Sequence, residues 1–419
     1  MQGYGRDLGL LRDRRFAMLL TARTISVLGS TFAPVALAFG ILELPGADAT
    51  TLSVVLTAES LPMIAFMLVG GVIADRMPRQ RVMMAGELMM AAAFSTLGVM
   101  LLTGWTPLPA LVAAAALGGT AAAVVFPALQ GIIPEVVPQD RLQTGNAMLG
   151  LGANASRVAG AVLGGGTVAL FGGGWALAAS GAMFALAGVL IGMLRLEPGE
   201  RPREERHSVL ADLRDGWREF RSRQWLWVVV AQFSLLVMAI QAGHGVLGPL
   251  WAKENADGAL TWSWFLAGEA IGMIAGVLLS IRLRPSRPIM LGVLLCLPTA
   301  LPYVLLGLDA PIWGIVAGAF VLGVSFDVFG VLWQTTMQRE VPAEALSRVS
   351  SYDMLGSLMF GPIGLMLAGP AAEVFGTEGA LLGCAAIVVL CTLAALLAPG
   401  VRNLRAPQLA PARADAEAK

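Results

Sequence analysis

The chain has 419 residues, 57% of them apolar and 13% charged; water-soluble domains carry about 25% charge, so a soluble fold is excluded. The formal net charge is zero, with 28 basic and 28 acidic side chains, so no global attraction to nucleic acid exists. Apolar segments close to the roughly 20 residues that cross about 30 Å of hydrocarbon recur twelve times between Phe16 and Gly400. The predicted class is an all-α polytopic membrane protein.

The N-terminus carries Arg6, Asp7, Arg12, Asp13, Arg14 and Arg15 and no small-residue cleavage site, so it is expected to be retained. The first span, 16–42, holds Arg23 and Pro34, and the second, 51–74, holds Glu59 and Pro62. The connection that follows reads GVIADRMPRQR from Gly71 to Arg81. The third span (82–103) contains Glu87, the fourth (107–133) contains Pro127, and Glu135 follows it. In the fifth span (143–171), Asn146, Gly150, Asn154, Arg157, Gly160 and Gly164 recur at three- and four-residue intervals, so amides, a guanidinium and glycines share one helical face, the preferred inward stripe. The sixth span is 175–195.

The stretch 197–224 is the one long polar connection, and its Arg-rich part from Val209 is expected as an amphipathic helix on the inner leaflet. The seventh span (225–250) carries Gln241 and His244 one turn apart, the eighth (261–281) carries Glu269, and the ninth is 288–308. The tenth (311–337) holds Asp327, the eleventh (346–371) holds Asp353 and Pro362, and the twelfth is 377–399. The segment 401–419 is an Ala/Pro-rich tail without apolar periodicity, expected to be disordered. The four prolines are read as bends around a cavity.

Arginine clusters in the N-terminus, in every even-numbered connection and in the tail, whereas the odd-numbered connections contain Lys253 alone. The positive-inside rule therefore places both termini in the cytoplasm. Trp105, Trp175, Trp251, Trp262 and Trp313 fall at predicted outer ends, and Trp225 and Trp227 at an inner one, as an interfacial belt requires. Cys296, Cys384 and Cys391 lie in apolar runs and are assigned to packing, not to disulfides or a metal.

A charge within a span costs about 2.5 kcal/mol or more, so Arg23, Glu59, Glu87, Arg157, Glu269, Asp327 and Asp353 must face a cavity or a partner. Glu59 lies 16 positions before Asp75, about 24 Å from the inner face at 1.5 Å per residue, whereas Arg23, Glu87 and Asp353 are about 8 to 10 Å deep. Candidate residues for proton coupling or a central cavity are Arg23, Glu59, Arg157, Asp327, Asn154, His244 and Gln241.

Sliding the chain by 204 residues pairs VVPQDRLQTGNAMLGLG from Val136 with EVPAEALSRVSSYDMLG from Glu340, and continues to match Gly160 with Gly364 and Phe171-Gly172 with Phe375-Gly376. Two six-span halves in parallel order follow, 1–196 and 225–400, joined by the linker 197–224. Over essentially its whole length the chain resembles a transporter of the major facilitator superfamily. Gly71, Ala74, Asp75, Arg76, Arg79 and Arg81 resemble that family's signature in the loop between spans two and three, and the opening RDRRFAMLLTARTISVLGS and Pro78 resemble its siderophore and macrolide exporters. GAVLGG from Gly160 resembles the antiporter motif GPxxGG, with Ala161 in place of its proline. The resemblance implies twelve helices in two parallel repeats. It also implies a conformational gate at the loop motif, with Asp75 meeting the start of the eleventh span near Leu346 and Arg79 meeting Glu135.

A phosphate-cradling Gly-rich loop ends in Lys, and neither Lys253 nor Lys419 sits in one, so an ATP-driven pump is disfavoured. Neither HExxH, GxSxG nor Cys/His metal spacing is present, which disfavours a membrane enzyme. The expected function is secondary transport in the cell (inner) membrane: proton-coupled efflux of a small organic molecule by a monomer. Its partners are substrate, protons and the lipid bilayer, with no cofactor, metal or nucleic acid. A solute importer is the alternative, and a lipid scramblase on the same fold a lesser one.

Overall fold

The computed structural model describes residues 8–138, 141–194 and 209–405; side chains in a few helical stretches, 68–76 among them, are outside the description. The described residues are almost entirely helical, with no strand. The order is α1 Arg14–Leu42, α2 Ala49–Arg76, α3 Arg79–Thr103, α4 Leu108–Val136, α5 Leu142–Phe171, α6 Gly173–Gly192 and α7 Val209–Ser222. It continues with α8 Gln224–Asn255, α9 Ala259–Ser280 and α10 Pro288–Gly307, then α11 Ile312–Glu340, α12 Ala343–Leu358 and α13 Gly361–Leu397. Ten described helices are long and apolar enough to cross a membrane. The thirty-residue α5 is of the same length, and α13 turns at Gly376 into two, which makes the twelve spans the sequence predicts.

Local chemistry sets the ends. Asp13 caps α1, its carboxylate accepting from the Arg15 amide at 2.8 Å, and Asp48 precedes α2 and accepts from the Thr51 amide at 2.7 Å. That amide, with the Thr51 hydroxyl, holds the Asp48 carboxyl below its ordinary range. Gly172 (φ 87°, ψ 164°) and Gly376 (φ 75°, ψ 162°) occupy a backbone region that is essentially glycine-only. They are 204 residues apart, as are the caps Pro107 and Pro311 and the caps Val137 (φ −105°, ψ 126°) and Val341 (φ −102°, ψ 129°). The internal repeat read from the sequence is thus a repeat of backbone geometry.

Helices α1 to α6 pack chiefly on one another, as do α8 to α13. The two sets meet where α5 lies on α9 and α2 on α13. At the end of the bundle away from the termini, here the distal end, three hydrogen bonds cross between them. Thr50 Oγ1 donates to Glu373, Gly369 N donates to Ser53 Oγ at 2.8 Å, and Lys253 Nζ donates to the Leu42 carbonyl. Leu170, Leu278 and Leu397 are exposed apolar side chains, as a bundle solvated by hydrocarbon allows.

Pro34 and Pro62 sit inside continuous helices, the Pro127 side chain lies outside the described residues, and Pro362, one of the four expected bends, stands at the break that opens α13. A further interruption that was not expected falls at Leu297–Ala300, a 3-10 turn containing Pro298 in α10. The aromatic belt is corrected in part. Trp225, Trp251 and Trp262 are buried core rather than interfacial anchors, whereas Trp105, Trp175 and Trp313 are exposed. The linker helix starts at Val209 as expected; Phe220 is buried and Trp217 half exposed, and their rings lie 6.0 and 5.6 Å from the Tyr352 ring of α12. The linker before it (195–208) and the tail from 406 lie outside the described residues.

Candidate functional site

The intramembrane charges gather at three places. In the first half, α1, α2, α3, α4 and α6 enclose a cavity of about 260 Å³ lined by Arg23, Ser26, Glu59, Phe94 and Phe184 among others. Ser26 Oγ donates to Glu87 Oε1 at 2.8 Å, while Glu87 Oε2, also buried, has no hydrogen-bond partner. Arg23 is close enough to Glu87 and to Arg157 for their charges to interact. Glu59 is set by a backbone contact, because Gly119 of α4 lies so near its carbonyl oxygen that a methyl there would overlap it.

Between the halves, Asn154 and Arg157 of α5 face Met273, Ile274 and Val277 of α9 and Asp327 of α11 across a narrow recess. Arg157 Nη1 donates to Asn154 Oδ1 at 3.1 Å. Asp327 stands near enough to Arg157 for their charges to interact, and its buried Oδ2 lacks a hydrogen-bond partner. Asp327 also lines a cavity of about 700 Å³ walled by α8, α11 and α12, with Phe233, Phe326, Trp333, Gln334 and Asp353. That volume fits a drug-sized molecule. Phe233 and Phe329 stack there at 5.2 Å. Asp353 is satisfied by Trp333 Nε1 at 3.1 Å and Ser357 Oγ at 3.3 Å, so it holds α11 to α12.

The α5 stripe divides. Asn154 and Arg157 reach the recess, but Gly160 and Gly164 abut Thr31 and Phe32 of α1, so these glycines serve helix packing. Gln241 packs beside Gly361 of α13. His244 turns into the second half, into a third group: its Nδ1 lies 3.3 Å from Tyr303 Oη and its Nε2 3.4 Å from Glu269 Oε2. Neither Tyr303 nor the pairing of Glu269 was singled out from the sequence. A signal existed: at a shift of 210, Glu59, Met63, Ile64 and Ala65 fall on Glu269, Met273, Ile274 and Ala275.

At the loop motif, Arg79 Nη1 lies 3.2 Å from Glu135 Oε1, both partly exposed, and Arg81 is exposed. Gln80 Nε2 donates to the carbonyls of Ile191 and Gly192 at 3.0 and 3.1 Å, tying the loop to the end of α6. The side chains of Gly71, Ala74, Asp75 and Arg76 lie outside the described residues, so the contact expected between Asp75 and the start of α12 does too. No group of three or more metal-ligating side chains occurs among the described residues.

The family model of the Major Facilitator Superfamily matches residues 18–357. The chain is 24% identical over 405 residues to the multidrug efflux pump Tap of Mycolicibacterium fortuitum, covering 92% of this chain and 96% of that one. It is 26% identical over 379 residues to the enterobactin exporter EntS of Citrobacter koseri, covering 86% of each. Among solved structures, the nucleoside transporter NupG superposes with a TM-score of 0.74 at 12% identity, over 91% of this chain and 98% of that one. A bacterial homolog of the human lysosomal transporter Spinster, in an inward-facing and unoccupied conformation, superposes with a TM-score of 0.70 at 15% identity, over 93% and 98%. With its twelve-helix repeat architecture and a family match over most of its length, the chain belongs to the major facilitator superfamily and is a multi-pass membrane transporter, not an enzyme.

Proposed function

We propose that this transporter exports a small organic molecule in exchange for protons, by alternating access. The observation that carries the proposal is the position of Asp327, which lines both the aromatic 700 Å³ cavity and the recess holding Arg157. Protonating Asp327 removes the counter-charge of Arg157 and at the same time changes the wall that substrate meets, so proton and substrate compete for one state of the protein. Glu59, which lines the first-half cavity together with Arg23, is the second carboxylate placed to carry a proton. Relatives named as an efflux pump and as exporters support the outward direction.

Both termini are placed in the cytoplasm by the arginine distribution. The distal end is then the outer face, and its three inter-half hydrogen bonds close that face. On this reading the cavity is served from the cytoplasm, and the loop motif acts in the opposite state. Arg79 is already paired with Glu135 inside the first half in this state; in the opposite state Asp75 would dock on the N-terminus of α12, whose dipole favours an anion.

Everted membrane vesicles and proteoliposomes test the reading, with ethidium as an aromatic cation and enterobactin as a catecholate. Uptake into everted vesicles that collapses with a protonophore marks export, and counterflow in proteoliposomes of known orientation separates it from import. Glu59→Gln and Asp327→Asn are expected to abolish the gradient-dependent component while leaving membrane insertion intact; retention of it in both variants rules the assignment out.

A further inference from the structure

The third group of charges is not used by that mechanism. His244 sits in a π-helical segment, Gly243–Leu247, within α8. Such an extra-residue turn interrupts the regular hydrogen-bond ladder and is frequent at functional sites. Its ring is enclosed by aromatic side chains, with centroids 5.3 Å from Phe265, 5.9 Å from Tyr303 and 6.0 Å from Trp262. Tyr303 is fully buried and shares a 3.3 Å hydrogen bond with Nδ1. On the other side Nε2 approaches Glu269 Oε2 at 3.4 Å without forming a hydrogen bond. A methyl on Gly243 would overlap the Tyr303 ring, so the phenol reaches the imidazole only because position 243 is glycine.

The internal repeat gives Glu269 a counterpart. Gly119 of α4 packs on the carbonyl oxygen of Glu59, and Gly323 of α11, 204 residues later, packs on the carbonyl oxygen of Glu269. The two acids therefore occupy equivalent places in the two halves, one lining the first-half cavity with Arg23, the other facing His244. The ionisable groups facing His244 are Glu269 from α9 and Tyr303 from α10, with Cys384 of α13 near the phenol. Helix α2 brings Leu56 to the turn, with Glu59 one turn further along, and α1 carries no ionisable side chain between Ser26 and Leu42.

We propose that His244, Glu269 and Tyr303 bind one proton as a unit, a second protonation site belonging to the second half, and that its occupancy sets the packing of the π-turn. A proton arriving at Nε2 converts a bare approach into an imidazolium–carboxylate ion pair in a low-dielectric aromatic enclosure, where such a pair is stronger than in water. The turn is placed to transmit the change, because Gly245 abuts Leu56 of the first half and Leu365 of α13, and the same helix ends in Lys253, bonded to the Leu42 carbonyl across the distal junction. This deepens the proton-coupled reading and rests on it for its role in transport.

The chain has two histidines, His207 and His244, so a His207→Gln background leaves one imidazole to observe. With ring-labelled histidine in nanodiscs, the His244 resonance is expected to respond to pH in the parent, and that response is expected to change in Glu269→Gln and in Tyr303→Phe, because each removes one member of the unit. A resonance indifferent to pH, or a pH response unchanged by Glu269→Gln, overturns the site. Spin labels at positions 46 and 257, on distal loops of the two halves, are expected to change separation with pH in the parent and not in His244→Gln; an identical pH response in that variant overturns the link to the π-turn. A wild type whose transport ignores the pH gradient, with the pH response as described, instead overturns the exporter's coupling.

Discussion

Gly119 and Glu59 show how one residue's freedom sets another's position. Replacing Gly119 by valine drives a branched side chain into the Glu59 carbonyl, which belongs to a helix backbone and has nowhere to go. Overpacking of this kind costs about 1–3 kcal/mol, so Gly119→Val is expected to lower the melting temperature in detergent and to reduce transport. A variant that melts and transports like the parent shows that α4 stands off α2. That Arg23, Glu59, Arg157 and Asp327 needed partners was legible from the sequence, since unpaired charge is costly in hydrocarbon. Which partners they have was not. The Ser26 hydroxyl on Glu87 comes from a different helix 61 positions away, and nothing in the local pattern of either helix marks the pair. Asp75 is the residue on which the gate reading turns: Asp75→Asn is expected to slow cycling several-fold without altering which compounds compete for binding, and a changed selectivity profile contradicts it.

At the scale of the element, the turns that join helices carry chemistry of their own. Gly172 and Gly376 sit in a conformation that costs a residue with a Cβ about 1–3 kcal/mol, so Gly376→Ala should destabilise the α13 corner by that amount, read as a lower midpoint in thermal unfolding. Their equivalence was visible as Phe-Gly repeated 204 residues apart; the backbone angles supply its reason. Asp48 caps α2, and its loss in Asp48→Ala is expected to cost about 1 kcal/mol. Because Thr51 holds the Asp48 carboxyl below its ordinary range, the cap's contribution is present above the unfolded-state pKa and is lost as pH falls through the folded one. The stability difference between Asp48→Ala and the parent should therefore shrink below about pH 4. The linker helix α7 was legible as amphipathic, but its resting place was not, since an aromatic face suits a leaflet and a Tyr352 platform equally. Trp217→Ala is expected to speed tryptic cleavage in the linker; an unchanged rate would falsify the docking of α7 on α12.

The whole molecule is closed at the distal end, where Thr50, Ser53 and Lys253 reach across between the halves. Lys253→Met removes one of these ties and is expected to expose the junction. A cysteine at Ala49, which is 6% exposed, should then react faster with an impermeant maleimide, against a background in which the three native cysteines are buried. A rate equal to that of the Lys253 parent would mean the lysine does not contribute to closure. By itself the sequence determined the solvent, the twelve crossings, the doubled architecture and the family. Each follows from quantities that sum along the chain: apolar length against bilayer thickness, the distribution of arginine, and a repeat that survives a shift of 204. The tertiary structure decided which charges meet, which glycines pack instead of lining a path, which end is shut, and that His244 faces Glu269 and Tyr303. These depend on the rotation and depth of one helix against another. In a chain apolar on nearly every face, periodicity marks an inward side only where polar residues recur, as Asn154 and Arg157 do on α5, so the rotation of the other helices is set by close contacts between backbones that are far apart in sequence.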